Sequence, residues 1–285
     1  MNKIIVKGQA LNALDLCFDM DATGSMQPWI DRVREVITDI ARSVVSSGTR
    51  PRLRLALVEF RDHESSGVQK RPTRTTGFTD DVERFFEDLS AVQCGGGADA
   101  PEAVADGLVT CFELPWRAQA QKAIVLIGDA PPHGVGSAGD SYPKGCPCNE
   151  DPDEVARRLY ESGITLHAIA VTEDSLTALS FRALAEATDG MFATLTDTHR
   201  LSDLLSSIVH EERRKVADDL AVAARFKDAG GDATRLADIT GLGRRDVDKS
   251  IDRLRAKDAI PVVEGLRPTA SVQPRVSRVR IIRKP

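Results

Sequence analysis

The segment Asp21-Ala22-Thr23-Gly24-Ser25-Met26 constrains this chain more than any other. It follows the apolar run Leu14–Phe18 and precedes a stretch with Met26, Ile30, Val33, Val36, Ile37, Ile40 and Val44 at helical spacing. A carboxylate and two hydroxyls therefore sit where a buried strand hands over to an amphipathic helix. In an open α/β sheet that is the edge where ligands bind. Asp-x-Thr-x-Ser sets oxygen side chains on alternate residues, so an extended backbone turns them to one side, within reach of one hard cation such as Mg²⁺.

Two later segments have the same form. Gly95-Gly96-Gly97-Ala98-Asp99 precedes a helix expected to begin near Ala100-Pro101-Glu102, where Gly followed by Pro is a helix-start signal. The apolar run Ala123–Ile127 ends in Gly128-Asp129-Ala130-Pro131-Pro132-His133. All three loops fall at the same end of their strands.

On these three strings the chain resembles the von Willebrand factor A family, over roughly residues 10 to 210. The first loop gives DxTGS, the second GGGxDxPE and the third GDAPPH. The resemblance implies a metal-ion-dependent adhesion site (MIDAS) built from Asp21, Thr23, Ser25, Asp99 and Asp129, holding Mg²⁺ or, failing that, Mn²⁺ or Ca²⁺. It also implies a protein partner docked at the metal edge, since intracellular members act in multiprotein complexes, often beside an AAA-type ATPase. An Asp at position 99, rather than Thr, donates charge to the ion, holds it more firmly and weakens its pull on an acidic ligand. Asp19 stands where an apolar residue is expected. It shares a strand face with Asp21, and either pairs with an Arg in a structural role or adds to the negative charge of the site.

The pattern of runs predicts an α/β fold. Strands are expected at Leu14–Phe18, Leu53–Phe60, Gln69–Thr75, Ala123–Ile127, Thr165–Ala170 and Met191–Thr194. Helices are expected at 26–46, 80–90, 100–113, 152–162, 175–188 and 199–212. Such alternation gives a doubly wound, mostly parallel six-stranded sheet covered on both faces. Lys70, Arg71 and Pro72 mark the third strand as an exposed antiparallel edge. The loop 130–151, rich in Gly, Pro and Asp, starts at the metal edge and is expected to shape a partner surface. Glu59-Phe60-Arg61-Asp62-His63 reads as a strand end with a salt-linked turn. His63 and His133 can both line the metal edge, but neither has a nucleophile arranged beside it, so no catalytic residue is assigned and no enzyme is expected.

Five cysteines, an odd number at 17, 94, 111, 146 and 148, do not form a disulfide framework and fit a reducing cytoplasm. Cys146-Pro147-Cys148, with His133 and Cys94 as further ligands, invites a zinc reading. The spacing lacks a second pair, and a loop with reduced thiols is the expectation. No apolar run is long enough for a membrane span and the N-terminus is too polar for a signal peptide.

Charge divides the chain. Residues 211–285 carry 18 basic and 12 acidic side chains, a net of +6, whereas residues 1–210 carry a net of −11, giving the overall −5. A domain 1–210 and a second module 211–285 are therefore expected. In the second, Leu236, Ile239, Leu242, Val247, Ile251 and Leu254 form one apolar set split by Gly241, which suits a tight turn between helices. This resembles the winged helix-turn-helix family, with wing strands at 260–263 and 276–282 and a basic tail. The resemblance places Arg244, Arg245, Lys249 and Arg253 on a DNA-reading helix and Arg275, Arg278 and Arg280 on the wing. Asp246, Asp248 and Asp252 share that helix and oppose phosphate, so DNA and protein partners both stay open. Three functions compete: a non-enzymatic adaptor, a DNA-binding regulator with a sensor domain, and a metal-dependent hydrolase. The adaptor is the expected one.

Overall fold

The structure, a computed structural model, describes residues 8–46, 51–63, 71–97 and 100–260, with the side chains of 8 and 38–46 left aside. The order is α1 (Gly8–Leu11), β1 (Ala13–Asp21), α2 (Gln27–Ser46), β2 (Arg52–Phe60), β3 (Thr73–Thr75), α3 (Val82–Ser90), α4 (Val104–Phe112), β4 (Gln121–Gly128), α5 (Pro152–Glu161), β5 (Ile164–Ala170), α6 (Ser175–Ala187), β6 (Phe192–Thr194), α7 (Leu201–Arg225), α8 (Ala233–Thr240) and α9 (Arg244–Ala256). A 3₁₀ turn at Gly24–Met26 joins β1 to α2.

The six strands lie in the order β3-β2-β1-β4-β5-β6. All pair in parallel except β3, which runs antiparallel to β2 at the edge. All nine residues of β1 are buried, as a strand covered on both faces requires. One face packs Phe18, Met20, Val125 and Ile127 under Met26, Ile30 and Val33 of the β1–α2 segment and Leu201, Leu205 and Ile208 of α7. The other packs Cys17, Val58, Phe60 and Leu126 under α4, α5 and α6. The chain winds outward from β1 in one direction and from β4 in the other, so their adjacency is the switch point of the sheet.

α4 starts at Val104 rather than at Ala100. Glu102 is held instead in a bridge with Pro132, its N–H donating to Pro131 O at 3.0 Å. α7 runs unbroken from 201 to 225, across the expected boundary at residue 210. Its first half packs on the sheet, and its second half joins α8 and α9 in a third core of Val222, Phe226, Leu236, Val247, Ile251 and Leu254, with Leu11 added from α1. The charged run 211–215 lies within α7, and its Glu212 and Lys215 are buried.

Those two residues belong to a polar chain linking the C-terminal helices to the sheet. Glu212 accepts from Lys215 at 2.6 Å and Gln121 at 2.8 Å, and meets His167 at 3.0 Å. Lys257 donates to Gln121 at 3.2 Å and Asp219 at 2.8 Å, and Asp219 accepts from Arg253 and Ser250. Burial favours a neutral Glu212, but the Lys215 charge and His167 outweigh it and hold the carboxyl well below the usual range.

α8 ends on Gly241 in the left-handed conformation (φ 73°), and α9 follows two residues later. The tight turn expected at Gly241 is therefore present between two helices. The wing strands and Arg275, Arg278 and Arg280 lie outside the described residues.

Candidate functional site

Asp21 is the last residue of β1, and Thr23 precedes the 3₁₀ turn that carries Ser25. One Asp21 oxygen, Oδ1, accepts from the Thr23 N–H at 2.8 Å and from its hydroxyl at 2.7 Å. The Thr23 and Ser25 hydroxyls lie 3.4 Å apart. The second oxygen, Oδ2, is buried with no hydrogen-bond partner among the described residues. Ser25 is exposed, so the cluster opens outward there.

Asp129 follows β4 directly and comes up against Asp21, the strands being neighbours at the switch point. Burial is the main cause that pushes Asp21 up to about 7. The Thr23 bonds pull the other way, and the charge of nearby Asp129 adds to the rise. A buried carboxyl with a half-buried one set against it attracts a cation. Gly128 permits the approach: a Cβ there would stand 3.3 Å from both Asp21 Cβ and Phe181 Cζ.

The glycine loop also reaches the site. Gly95 N–H donates to Ala22 O at 3.0 Å, and a Cβ on Gly97 would lie 3.2 Å from Glu102 Oε1 and 3.6 Å from Thr23. Gly97 has φ 92°, a conformation that glycine adopts readily. Asp99, expected as a ligand from this loop, lies outside the described residues. Glu102, 3 % exposed, stands against Gly97, a carboxylate that sequence reading took only as a helix-start residue.

Asp19 has no arginine partner among the described residues. Neither of its oxygens is hydrogen-bonded, and it faces α4, where a Cβ on Gly107 would come within 2.7 Å of it. Burial first, then the charge of Asp21, hold its carboxyl well above the usual range.

His63 and His133 lie at this end of the sheet in a separate cluster. His133 Nε2 meets Asp62 Oδ1 at 3.1 Å and its Nδ1 meets Asp140 Oδ1 at 2.9 Å. Tyr142 stands edge-on to both rings, with centroids 5.6 Å from His63 and 5.1 Å from His133. Burial lowers the His133 basicity, but the two carboxylates outweigh it and raise it. His133 is thus a strut for the long loop rather than part of the Asp21 site.

The basic residues of α9 are mostly engaged within the molecule. Arg253 pairs with Asp219 at 2.7 Å, Lys249 with Asp189 at 2.5 Å, and Arg244 with Asp248 at 3.1 Å. Arg245 is exposed. The α9 cations thus pair with α7, with the α6–β6 turn and within α9, while Arg244 and Lys249 stay partly exposed.

An open α/β sheet with an oxygen-lined cluster at its switch point defines the class of fold and site. Residues 15–136 match the von Willebrand factor A domain family, a span that holds both Asp21 and Asp129. The alpha-protein kinase vwkA of Dictyostelium discoideum is 30% identical over 161 residues, which cover 56% of this chain and 25% of that protein. The chain thus spans about a quarter of the length of the curated relative it matches. The fold is similar to that of the mussel byssus proximal thread matrix protein 1 (17% identity, 71% of this chain and 47% of that one, TM-score 0.51). It is also similar to BatB from Bacteroides thetaiotaomicron (12% identity, 71% of this chain and 99% of that one, TM-score 0.50). The family match covers 122 of the 285 residues, and the solved structures share the fold of the sheet and its covering helices. No helix among the described residues is long and apolar enough to cross a membrane.

Proposed function

We propose that the strand-end cluster is a metal-ion-dependent adhesion site that holds Mg²⁺, and that the chain is a non-enzymatic adaptor docking a protein partner at that edge. The observation that carries this reading is the pairing of Asp21 and Asp129 at the switch point, with a buried Asp21 oxygen left without a partner. A cation there neutralises both carboxyls and takes the Thr23 and Ser25 hydroxyls as further oxygen ligands. Asp99 is proposed as a ligand from the glycine loop. Exposed Ser25 keeps the site accessible to a partner's own oxygen ligand.

The named activity of the kinase relative is not carried over, because the match covers a quarter of that protein. A multiprotein complex, such as one built around an AAA-type ATPase, is the proposed setting. Engagement of the α9 cations within the molecule speaks against DNA readout by that helix.

Calorimetric titration of the whole chain with Mg²⁺, Mn²⁺ and Ca²⁺, beside Asp21→Ala, tests the site. Saturable binding that the variant loses is expected. Equal binding by both proteins removes Asp21 from the site and the reading with it.

A further inference from the structure

A second cluster lies near the same sheet edge, built from three segments far apart in sequence. His63 comes three residues after β2, Asp106 from the first turn of α4, and Cys146 and Cys148 from the loop between β4 and α5. His63 Nε2 stands 3.1 Å from Asp106 Oδ2 and 3.4 Å from Cys146 Sγ, and Cys146 Sγ stands 2.8 Å from Asp106 Oδ2. One ligand atom from each of the four residues falls within 4.8 Å of all the others. His63, Asp106 and Cys146 are buried and Cys148 is half-buried.

We propose that His63, Asp106, Cys146 and Cys148 bind a structural Zn²⁺ that fastens the 130–151 loop to the body of the domain. Zinc takes sulfur at about 2.3 Å and nitrogen or oxygen at about 2.0 Å in a tetrahedron. Those lengths set S···N edges of about 3.5 Å and N···O edges of about 3.3 Å. The observed 3.4 Å and 3.1 Å are close to these edges. The Cys146–Asp106 edge, 2.8 Å, is shorter than the about 3.5 Å of a zinc tetrahedron and would have to lengthen when a cation replaces the thiol proton.

The surroundings suit a metal better than they suit a buried acid. Asp15, equally buried, is neutralised by Arg54 and Arg117. Asp106 instead has one imidazole and two thiols around it, and its Oδ1 is buried without a hydrogen-bond partner. Cys146 Sγ accepts the Cys148 N–H at 3.3 Å and is also approached by the backbone N–H of Glu150. These N–H groups would help to hold a metal-bound thiolate, whereas without a cation burial and the Asp106 carboxylate keep Cys146 a thiol. Two thiolates select zinc over Mg²⁺. Four protein ligands leave no open position, so the site is structural rather than catalytic. His133, which the sequence placed near the cysteine pair, braces the cluster from outside through Asp62 and Tyr142. Cys94 is not in it.

The test is the metal content of the intact chain, purified from zinc-supplemented medium without chelator, by elemental mass spectrometry. About one zinc per chain is expected in the wild type, in Asp21→Ala and in Cys94→Ser, with loss in Cys148→Ser. Circular dichroism checks that each variant is folded. Cobalt added to the stripped wild-type protein should give thiolate-to-metal charge transfer and tetrahedral ligand-field bands, so the proposal stays testable if Cys148→Ser does not fold. A wild-type protein without zinc whose cobalt form lacks thiolate absorption overturns the proposal. So does zinc that persists in a folded Cys146→Ser/Cys148→Ser variant. Loss of zinc in Asp21→Ala alone would move the metal to the other cluster and overturn it equally.

Discussion

At the scale of single residues, this chain repeatedly sets packing against local preference. Gly107 lies inside α4, where alanine would ordinarily favour the helix by up to about 1 kcal/mol. Here an added Cβ would come within 2.7 Å of Asp19 Oδ1 and 2.8 Å of Phe60 Cδ1. The clash is expected to win, so Gly107→Ala should destabilise the fold by about 1–3 kcal/mol in urea titration. An unchanged midpoint would mean that the Asp19 side chain moves aside freely. Ser25 presents the opposite case, being exposed on a turn. Ser25→Ala should leave stability within about 0.5 kcal/mol of wild type while weakening Mg²⁺ binding in the same calorimeter. Undiminished Mg²⁺ affinity would remove this hydroxyl from the ligand set. The order of Asp21, Thr23, Ser25 and Asp129 was legible because each sits where an apolar run ends. The partners of Cys146 and Cys148 were not. Asp106 lies 40 residues from Cys146 and His63 lies 83, and no local spacing joins them.

At the scale of elements, the six strands and the antiparallel edge followed from periodicity, because strands buried on both faces read as continuous apolar runs. α7 was misjudged for a physical reason. A dense run of charge reads as a solvated linker unless the partners are known, and here they come from β4 and β5. Glu212 illustrates the energetics. Its folded carboxyl is held below its ordinary value, so its contribution is present above the unfolded pKa and is lost as pH falls through the acid range. Glu212→Gln leaves Lys215 uncompensated and should cost about 3 kcal/mol near neutral pH. The gap should narrow as pH falls below about 4, where the unfolded chain takes up a proton that folded Glu212 still excludes. Thermal melts of both proteins across that range measure it, and a constant difference would contradict the ionised pair.

For the whole molecule, the relevant question is whether the C-terminal helices form a separate unit. Their core shares α7 with the sheet, and Lys257 and Gln121 bridge the two. Calorimetric unfolding should therefore show one transition. Arg253→Ala, which leaves buried Asp219 short of a partner, should lower that transition as a whole rather than split it. Two resolved transitions would restore the expected boundary near residue 210.

That shared helix has a geometric consequence. The paired carboxyls Asp21 and Asp129 lie at the carboxyl ends of β1 and β4, whereas Gln121, which anchors Lys257, begins β4. The eight residues of β4 span about 26 Å. The C-terminal helices thus hang from the far pole of the sheet on a stiff shaft rather than a tether. On the proposed function, a partner docked at the strand ends would therefore sit at a set distance and bearing from the C-terminal helices, as a mark sits on a ruler.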